Sequence, residues 1–184
     1  MKTRALVLTA LLIISSVASV IASDTVTTQD VELSGNHTMT GNYTVSHGTT
    51  LTIKPGTVID MQDYWLEVEG TLLADNSTIM SSIQTTSPGS HNAGVWDSLT
   101  ITSTGTAVLD NVTISNAKSC IIVEGILTAT GLILEDCLIG IEIDGTATIS
   151  DLSSSHIDHD GVRVTGDAEI SSATFTDMSG GIHS

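Results

Sequence analysis

The stretch that decides the fold runs from Gly105 to Ser184 and reads GTAVLDNVTISNAKSCIIVE (105–124), GILTATGLILEDCLIGIEID (125–144), GTATISDLSSSHIDHDGVRVT (145–165) and GDAEISSATFTDMSGGIHS (166–184). Each segment opens with a glycine, and successive glycines are 20, 20 and 21 residues apart. Apolar residues return to fixed columns, which lie four and two residues before the glycine and two, four, seven, nine and twelve residues after it. The column four residues before the glycine holds Ile101, Ile121, Ile141 and Val162. The column two residues before it holds Ser103, Val123, Ile143 and Val164.

These columns come in pairs two residues apart, which is the alternation of a β-strand with one buried face. Three short strands per segment, separated by turns, describe one coil of a parallel β-helix. Each coil would stack on the next at about 4.8 Å and share backbone hydrogen bonds with it. A polar column eleven residues after the glycine marks one of the turns. It holds Asn116, Asp136, His156 and Asp177.

Residues 1–23 have the composition of a secretory signal peptide. Two basic residues open the chain, a largely apolar run covers residues 5–17, and small or modest residues precede Ser23. The apolar run is shorter than the roughly 20 residues that span a bilayer, which favours cleavage near Ala22 or Ser23 over a retained anchor. The sequence therefore predicts export to the cell surface or beyond, with no membrane insertion after cleavage.

The remaining chain divides into residues 24–47, predicted to form an N-terminal cap and the first strands, and residues 48–184, predicted to form the β-helix. Gly105 lies 35 residues after Gly70, so about 15 residues are inserted into one coil. Ser, Thr, Gly, Pro and Asn at about 81–94 predict that this insert is an exposed loop. The last residues fall in the columns before a further glycine, which favours a chain that is C-terminally incomplete and continues into more coils. Self-association through this open end is the alternative.

The charge of the chain excludes some classes of partner. Five Lys and Arg stand against 21 Asp and Glu, a net charge of −16. Without the signal, three basic residues remain against the same 21 acids, and 3 − 21 gives −18. Such a surface repels nucleic acid and anionic lipid, so neither is expected as a partner.

The segments GTTLTIKPGTVI (48–59), LEVEGTLLA (66–74) and GVWDSLTI (94–101) resemble the opening of secreted right-handed parallel β-helix proteins, the pectate-lyase-like solenoids. The later DNVTISNA and GIEIDG units resemble their generic coils. The resemblance covers roughly residues 48–184 and implies an all-β, right-handed parallel β-helix with three-strand coils of about 20 residues. It implies no single activity, because this fold carries polysaccharide lyases, glycoside hydrolases, adhesins and surface-layer components.

The two cysteines are Cys120 and Cys137. Export permits a disulfide. However, the two residues fall in columns three residues apart, which exceeds the usual Cα separation of a disulfide unless a turn folds them together. Buried free thiols are therefore the favoured interpretation, and the disulfide is the alternative.

Three further groups of residues are candidate sites. Four sequons make glycosylation candidates of Asn36, Asn42, Asn76 and Asn111. A cluster near the end of the third segment offers ligands for a divalent cation; it comprises His156, Asp158, His159 and Asp160. No defined zinc or calcium pattern surrounds this cluster, so polar turn chemistry is favoured over a metal site, and no cofactor is expected although a divalent cation is possible.

Charged side chains also collect on the outward face before each glycine. Glu142, Asp144 and Arg163 are candidate catalytic residues, because a glycan-cleaving enzyme needs paired carboxylates, or a cation with a basic residue. The same residues would serve as surface ion pairs, and no aromatic platform for stacking a sugar accompanies them. Surface pairing is the favoured interpretation.

These patterns favour a secreted or cell-surface, non-catalytic β-helix with a structural or adhesive role. The alternative is a polysaccharide lyase, a glycoside hydrolase or a glycan-binding module on the same fold. The expected partners are cell-envelope components or glycans.

Overall fold

A computed structural model of the chain shows a parallel β-solenoid of about seven coils, each of roughly 21 residues. The structure describes residues 12–15, 19–22, 24–83, 93–177 and 180–183, and for the first two ranges it describes the backbone alone. The described residues form strands and turns but no helix. The all-β class and the stacked three-strand coils that the glycine spacing predicts are confirmed.

The strands lie in three faces, and each coil contributes to every face either a separate strand or one half of a long strand that bends between two faces. In chain order the strands are β1 (Leu12–Ser15), β2 (Ser19–Ala22), β3 (Thr25–Val26), β4 (Val31–Ser34), β5 (Asn36–Thr40), β6 (Tyr43–Val45), β7 (Thr50–Ile53), β8 (Val58–Asp60), β9 (Leu66–Val68), β10 (Thr71–Asp75) and β11 (Thr78–Met80). They continue with β12 (Trp96–Ile101), β13 (Thr106–Asp110), β14 (Thr113–Ser115), β15 (Ala117–Val123), β16 (Ile126–Thr130), β17 (Ile133–Glu135), β18 (Ile139–Ile143), β19 (Thr146–Ser155), β20 (Asp160–Val164), β21 (Asp167–Thr176) and β22 (Gly180–His183).

The first face contains β4, β7, β10, β13 and β16, the second contains β5, β8, β11, β14 and β17, and the third runs from β3 through β6, β9, β12, β15, β18 and β20 to β22. Neighbouring strands within each face pair in parallel. The long strands β19 and β21 turn the corner between the first two faces and belong to both.

Side chains that stack in columns fill the interior. Ala107, Leu127 and Ala147 pair in register on the first face, and each is buried. On the second face Ile114 pairs with Leu134, which is likewise buried. These are the columns two and nine residues after the glycine, and both are confirmed as buried in the first three segments. In the last segment Ala168 is exposed and Phe175 is half-buried. Branched aliphatic side chains suit this narrow interior because the inward face of the strands from β4 to β20 is buried.

The polar corners adopt the left-handed backbone conformation, which Asn, Asp and Gly reach at the lowest cost. At the corner between the second and third faces, φ is +67° for Asn116, +53° for Asp136, +52° for His156 and +51° for Asp177. This is the column eleven residues after the glycine, and its predicted turn is confirmed. A second left-handed corner joins the first two faces; it includes Asn76, Asn111, Gly131, Asp151 and Ser172.

The predicted register is wrong for the two column residues before Gly105. Ile101 pairs with Val123 rather than with Ile121, and Leu99 is the residue that pairs with Ile121. The turn between Ile101 and Gly105 is two residues longer than the turn between Val123 and Gly125, so counting back from the glycine shifts the column. Ser103 consequently lies exposed in the longer turn and is not a core residue.

Cys120 and Cys137 form a disulfide, so the prediction of free thiols is wrong. Their Cα atoms are 5.9 Å apart, whereas three residues of extended strand alone would separate two columns by about 10 Å. Cys120 is the extra residue of a β-bulge between β12 and β15, and it is buried together with both of its neighbours. The bulge turns its side chain inward, and Cys137 lies in the corner just before β18. The disulfide therefore joins two successive coils inside the solenoid.

Residues 24–47, predicted as a cap with the first strands, contain a coil of the same solenoid, since β4, β5 and β6 pair with β7, β8 and β9. The backbones of β1 and β2 pair with β4 and β5. Residues 1–11, 16–18 and 23 of the predicted signal peptide lie outside the described residues. The signal peptide stays a prediction.

The predicted loop lies between the end of β11 at Met80 and the start of β12 at Trp96, and its residues 84–92 lie outside the described part of the chain. Asp60 fixes the start of the connection, because its carboxylate accepts hydrogen bonds from the backbone N and the Oγ of Ser82 at 2.9 and 2.5 Å. At the other end Trp96 is fully buried, and its indole Nε1 donates to the Ser115 carbonyl at 2.7 Å. Both ends are thus tied to the solenoid.

Ser154 interrupts an apolar column, which leads to a stability prediction. It is fully buried between Leu134 and Phe175, and its hydroxyl has no hydrogen-bond partner among the described residues. A buried hydroxyl without a partner costs about 1–3 kcal/mol. We expect Ser154→Ala to raise the free energy of unfolding by about 1 kcal/mol in a urea titration, because it removes that cost. The exposed neighbour Ser153→Ala is the control and should change stability by less than about 0.5 kcal/mol. A destabilised Ser154→Ala protein would show that the hydroxyl is hydrogen-bonded in solution.

Candidate functional site

Two of the three candidate catalytic residues, Glu142 and Arg163, lie on the outward side of the third face, in a network centred on Arg163. Its Nη1 donates to Glu142 Oε2 at 3.0 Å, while its Nη2 and Nε donate to Asp160 Oδ2 at 2.9 and 3.2 Å. On the preceding coil, Ser119 Oγ donates to Glu142 Oε1 at 2.6 Å. His183 Nδ1 lies 3.5 Å from Asp160 Oδ1. The network therefore connects four successive coils.

Strand register places these side chains together. Glu142, Arg163 and His183 are paired residues of β18, β20 and β22, so they project from one column as the sequence indicates. Asp160 begins β20, three residues before Arg163, and Gly161 lies between them at the column of the bulge. Sequence reasoning assigned Asp160 to a possible metal cluster and missed it as a partner of Arg163. The three-residue spacing across a glycine was the available signal.

The charges of the network stabilise one another. Hydrogen bonds from Arg163 hold the pKa of Asp160 below its ordinary value, and His183 acts in the same direction. The hydrogen bonds to Asp160, together with the charge of Glu142, raise the pKa of Arg163. Because the pKa of Asp160 is lower in the folded state, its contribution to stability is present above the unfolded value of about 3.9. That contribution is lost as the pH falls through the folded pKa.

The remaining catalytic candidate, Asp144, lies apart from this network. It is exposed, and its Oδ1 accepts a hydrogen bond from the hydroxyl of Thr165 on the next coil. Glu142 and Asp160 both accept hydrogen bonds from one guanidinium, and the bonds to Asp160 hold the pKa of that carboxyl group below its ordinary value. A general acid needs the opposite arrangement, in which a raised pKa keeps the proton on the carboxyl group near neutral pH.

The candidate metal ligands are divided among different contacts. His156 lies between Asp136 and Asp177 in the polar corner column, with nitrogen to oxygen distances of 3.7 and 3.8 Å. Asp160 belongs to the Arg163 network, while Asp158 and His159 are exposed. Among the residues that the structure describes, no group of three or more His, Cys, Asp or Glu side chains could hold a metal ion.

The four sequons differ in their surroundings. Asn42 is half-buried, and its Oδ1 accepts a hydrogen bond from the backbone N of Trp65 at 3.4 Å. Asn36 is exposed at the start of β5, next to Val58 on the neighbouring coil. Asn76 and Asn111 are both exposed, and they occupy the same left-handed corner on adjacent coils.

A groove of about 390 Å³ lies on the outward side of the first face. Leu73 and Val108, both partly exposed, form its floor, and Lys54, Asp75 and Asp110 contribute charged groups to its rim. A second depression, of about 330 Å³, adjoins the Arg163 network. Neither is lined by an aromatic side chain that would stack on a sugar.

Comparison with protein-family models, with curated proteins and with solved structures finds no match to this chain. The described residues contain no helix that is long and apolar enough to cross a bilayer. The structure confirms the parallel β-helix part of the resemblance. The function must therefore be argued from the contacts of this chain.

Proposed function

We propose that this chain is an exported, non-catalytic β-solenoid that serves as a rigid structural or adhesive element at the cell surface. The observation that carries the proposal is the position of Arg163 between Glu142 and Asp160. The carboxylates of Glu142 and Asp160 are both paired with Arg163, and these pairs cross-link coils that the backbone already stacks. A paired charge network of this kind fits a structural element better than a proton-transfer site.

The disulfide supports the exported location. Disulfides persist in oxidising compartments and are rare in the cytosol, and Cys120 and Cys137 are both fully buried, where a reductant has little access. A basic and apolar start and the resemblance to secreted solenoids point to the same compartment.

Cleavage of the predicted signal peptide would remove β1 and β2, whereas their pairing with β4 and β5 requires that they stay in the protein. A signal peptide removed near Ala22 or Ser23 cannot also cover the first coil. N-terminal sequencing of the exported protein decides between them, and we expect it to begin near Ser23 or Asp24. A mature protein that retains Leu12 would assign these strands to the solenoid and contradict the signal peptide.

An acidic solenoid of this kind would associate with cell-envelope components or glycans, with cations screening its charge of about −18. The direct test exposes the purified, exported protein to a panel of acidic polysaccharides with and without Ca²⁺. Binding without release of shorter chains is the expected result for an adhesive element. Depolymerisation would instead favour the lyase or hydrolase.

A triple variant tests the catalytic candidates themselves. We expect Glu142→Gln, Asp144→Asn and Arg163→Gln together to leave any glycan turnover by the parent protein unchanged, because these side chains are engaged in surface pairs. Reducing-sugar release and absorbance of unsaturated products would measure hydrolase and lyase activity. Thr100→Val, which changes the outward residue paired with Ile122, is a matched control on the same face. Loss of activity in the triple variant alone would establish that these three side chains include the catalytic residues.

A further inference from the structure

We infer that Asn111 is an N-glycosylation site whose glycan projects from the left-handed corner between the first two faces; this inference rests on the proposed export. Asn111, Val112 and Thr113 form a sequon. Val112 is fully buried, whereas Asn111 is exposed at the corner and Thr113 begins the outward side of β14. The acceptor amide and the hydroxyl two residues later therefore both face solvent.

A glycine on the neighbouring coil accommodates the carboxamide of Asn111. Gly131 occupies the same corner one coil further on, and the carboxamide of Asn111 lies over it, in the space that a side chain at residue 131 would take. The Nδ2 of Asn111 donates to Asp110 Oδ1 at 2.9 Å, and this exposed contact is the hydrogen bond that the amide makes within the described residues. A sugar on Nδ2 would thus replace one surface contact and displace no core residue.

The other three sequons differ from Asn111 in their neighbours, although Asn76 Nδ2 also donates to the carboxylate of the preceding residue, Asp75. The side chain of Asn42 holds the backbone of Trp65. Asn36 stacks beside Val58, which carries a branched side chain. Asn76 lies between two neighbouring coils. Asn111 is next to it on the following coil, and the turn through Pro55 and Gly56 is next to it on the preceding coil. Pro55 also lines the groove on the first face. Asn76 and Asn111 lie one strand spacing apart, about 4.8 Å, so a glycan at one position crowds the other.

The chemistry is a glycosyl transfer from a lipid-linked oligosaccharide. The amide Nδ2 of Asn111 bonds to the anomeric carbon of the first sugar and loses one proton. The bond from that carbon to the phosphate oxygen breaks, and the lipid phosphate leaves with the electron pair. The product carries the oligosaccharide on an exposed corner of a rigid coil.

The test secretes the full chain from a host whose oligosaccharyltransferase modifies Asn-x-Thr with its own lipid-linked oligosaccharide. Glycopeptide mass spectrometry then measures the occupancy of each sequon, and thiol titration in denaturant reports the disulfide. We expect occupancy at Asn111 to exceed that at Asn76 by several-fold. Thr113→Val should abolish modification of Asn111 while preserving a β-branched residue in β14. Thr78→Val, the matched change in the neighbouring sequon, should leave modification of Asn111 intact.

Each result has a distinct consequence. Exported, disulfide-bonded protein with an unmodified Asn111, or with equal or higher occupancy at Asn76, overturns the inference and leaves the proposed function standing. A chain that stays in the cytosol with two titratable thiols overturns the proposed export and the inference with it.

Discussion

Ile141→Asp is expected to prevent the chain from folding. Ile141 is fully buried, and strand register places it between Ile121 and Val162 on the coils to either side. An aspartate there would bury an unpaired carboxylate among apolar side chains, at a cost of several kcal/mol, roughly the entire stability of a small domain. Circular dichroism and the yield of soluble protein should both report an unfolded or aggregated chain.

The adjacent substitution Glu142→Gln is the matched control. Glu142 faces outward, and glutamine retains one oxygen that can accept the hydrogen bond of Arg163, while its amide nitrogen can donate to the Ser119 hydroxyl. We expect it to change the free energy of unfolding by less than about 1 kcal/mol. Equal melting temperatures for the two variants would show that the inside and outside of β18 have been assigned the wrong way round.

The success of the sequence in predicting the interior has a simple physical origin. A parallel stack repeats the environment of each column, so a position that is buried in one coil is buried in the next. Ala107, Leu127 and Ala147 can therefore be aligned from the spacing of glycines alone, without knowledge of any loop. The left-handed corner at Asn116 and Asp136 could be predicted for the same reason, since few residue types adopt that conformation cheaply.

The errors arise where one coil has more residues in a turn or strand than the next coil has at the same place. The turn that ends at Gly105 is two residues longer than the corresponding turn on the next coil. Counting from Gly105 therefore gives the correct pairing for the strand after it, but the wrong pairing for Ile101 before it. The bulge at Cys120 has the same effect on the cysteines, because a spacing counted along extended strands cannot include a residue that turns inward. Local backbone geometry, rather than periodicity, decides both positions.

The candidate site could be predicted only in part, again for a geometric reason. The shared column of Glu142 and Arg163 follows from the repeat, and the structure confirms their contact. The contacts from Ser119 and Asp160 cross columns, and they depend on the reach of a side chain rather than on its place in the repeat. Catalysis depends on whether a carboxylate is free or paired. The column pattern of the sequence does not contain this information.

Replacing both Cys120 and Cys137 by alanine is expected to lower the free energy of unfolding by about 3 kcal/mol, since the two cysteines are 17 residues apart and a closed loop of that size restricts the unfolded chain by about this amount. For a chain of this length that corresponds to a fall in melting temperature of roughly 6–12 °C. Alanine is the appropriate replacement because both positions are buried and a serine hydroxyl would add a desolvation cost of its own.

The control for the disulfide is the reductant itself. Dithiothreitol should destabilise the parent protein towards the double variant once unfolding exposes the bond, and it should leave the variant unchanged. Urea titrations of both proteins, with and without reductant, separate the loss of the cross-link from the loss of packing. Two free thiols in the denatured, unreduced parent, or equal midpoints for parent and variant, would contradict the cross-link. In that case the inward turn of the bulge at Cys120 would have only a packing role, and the cysteines would no longer indicate an oxidising compartment.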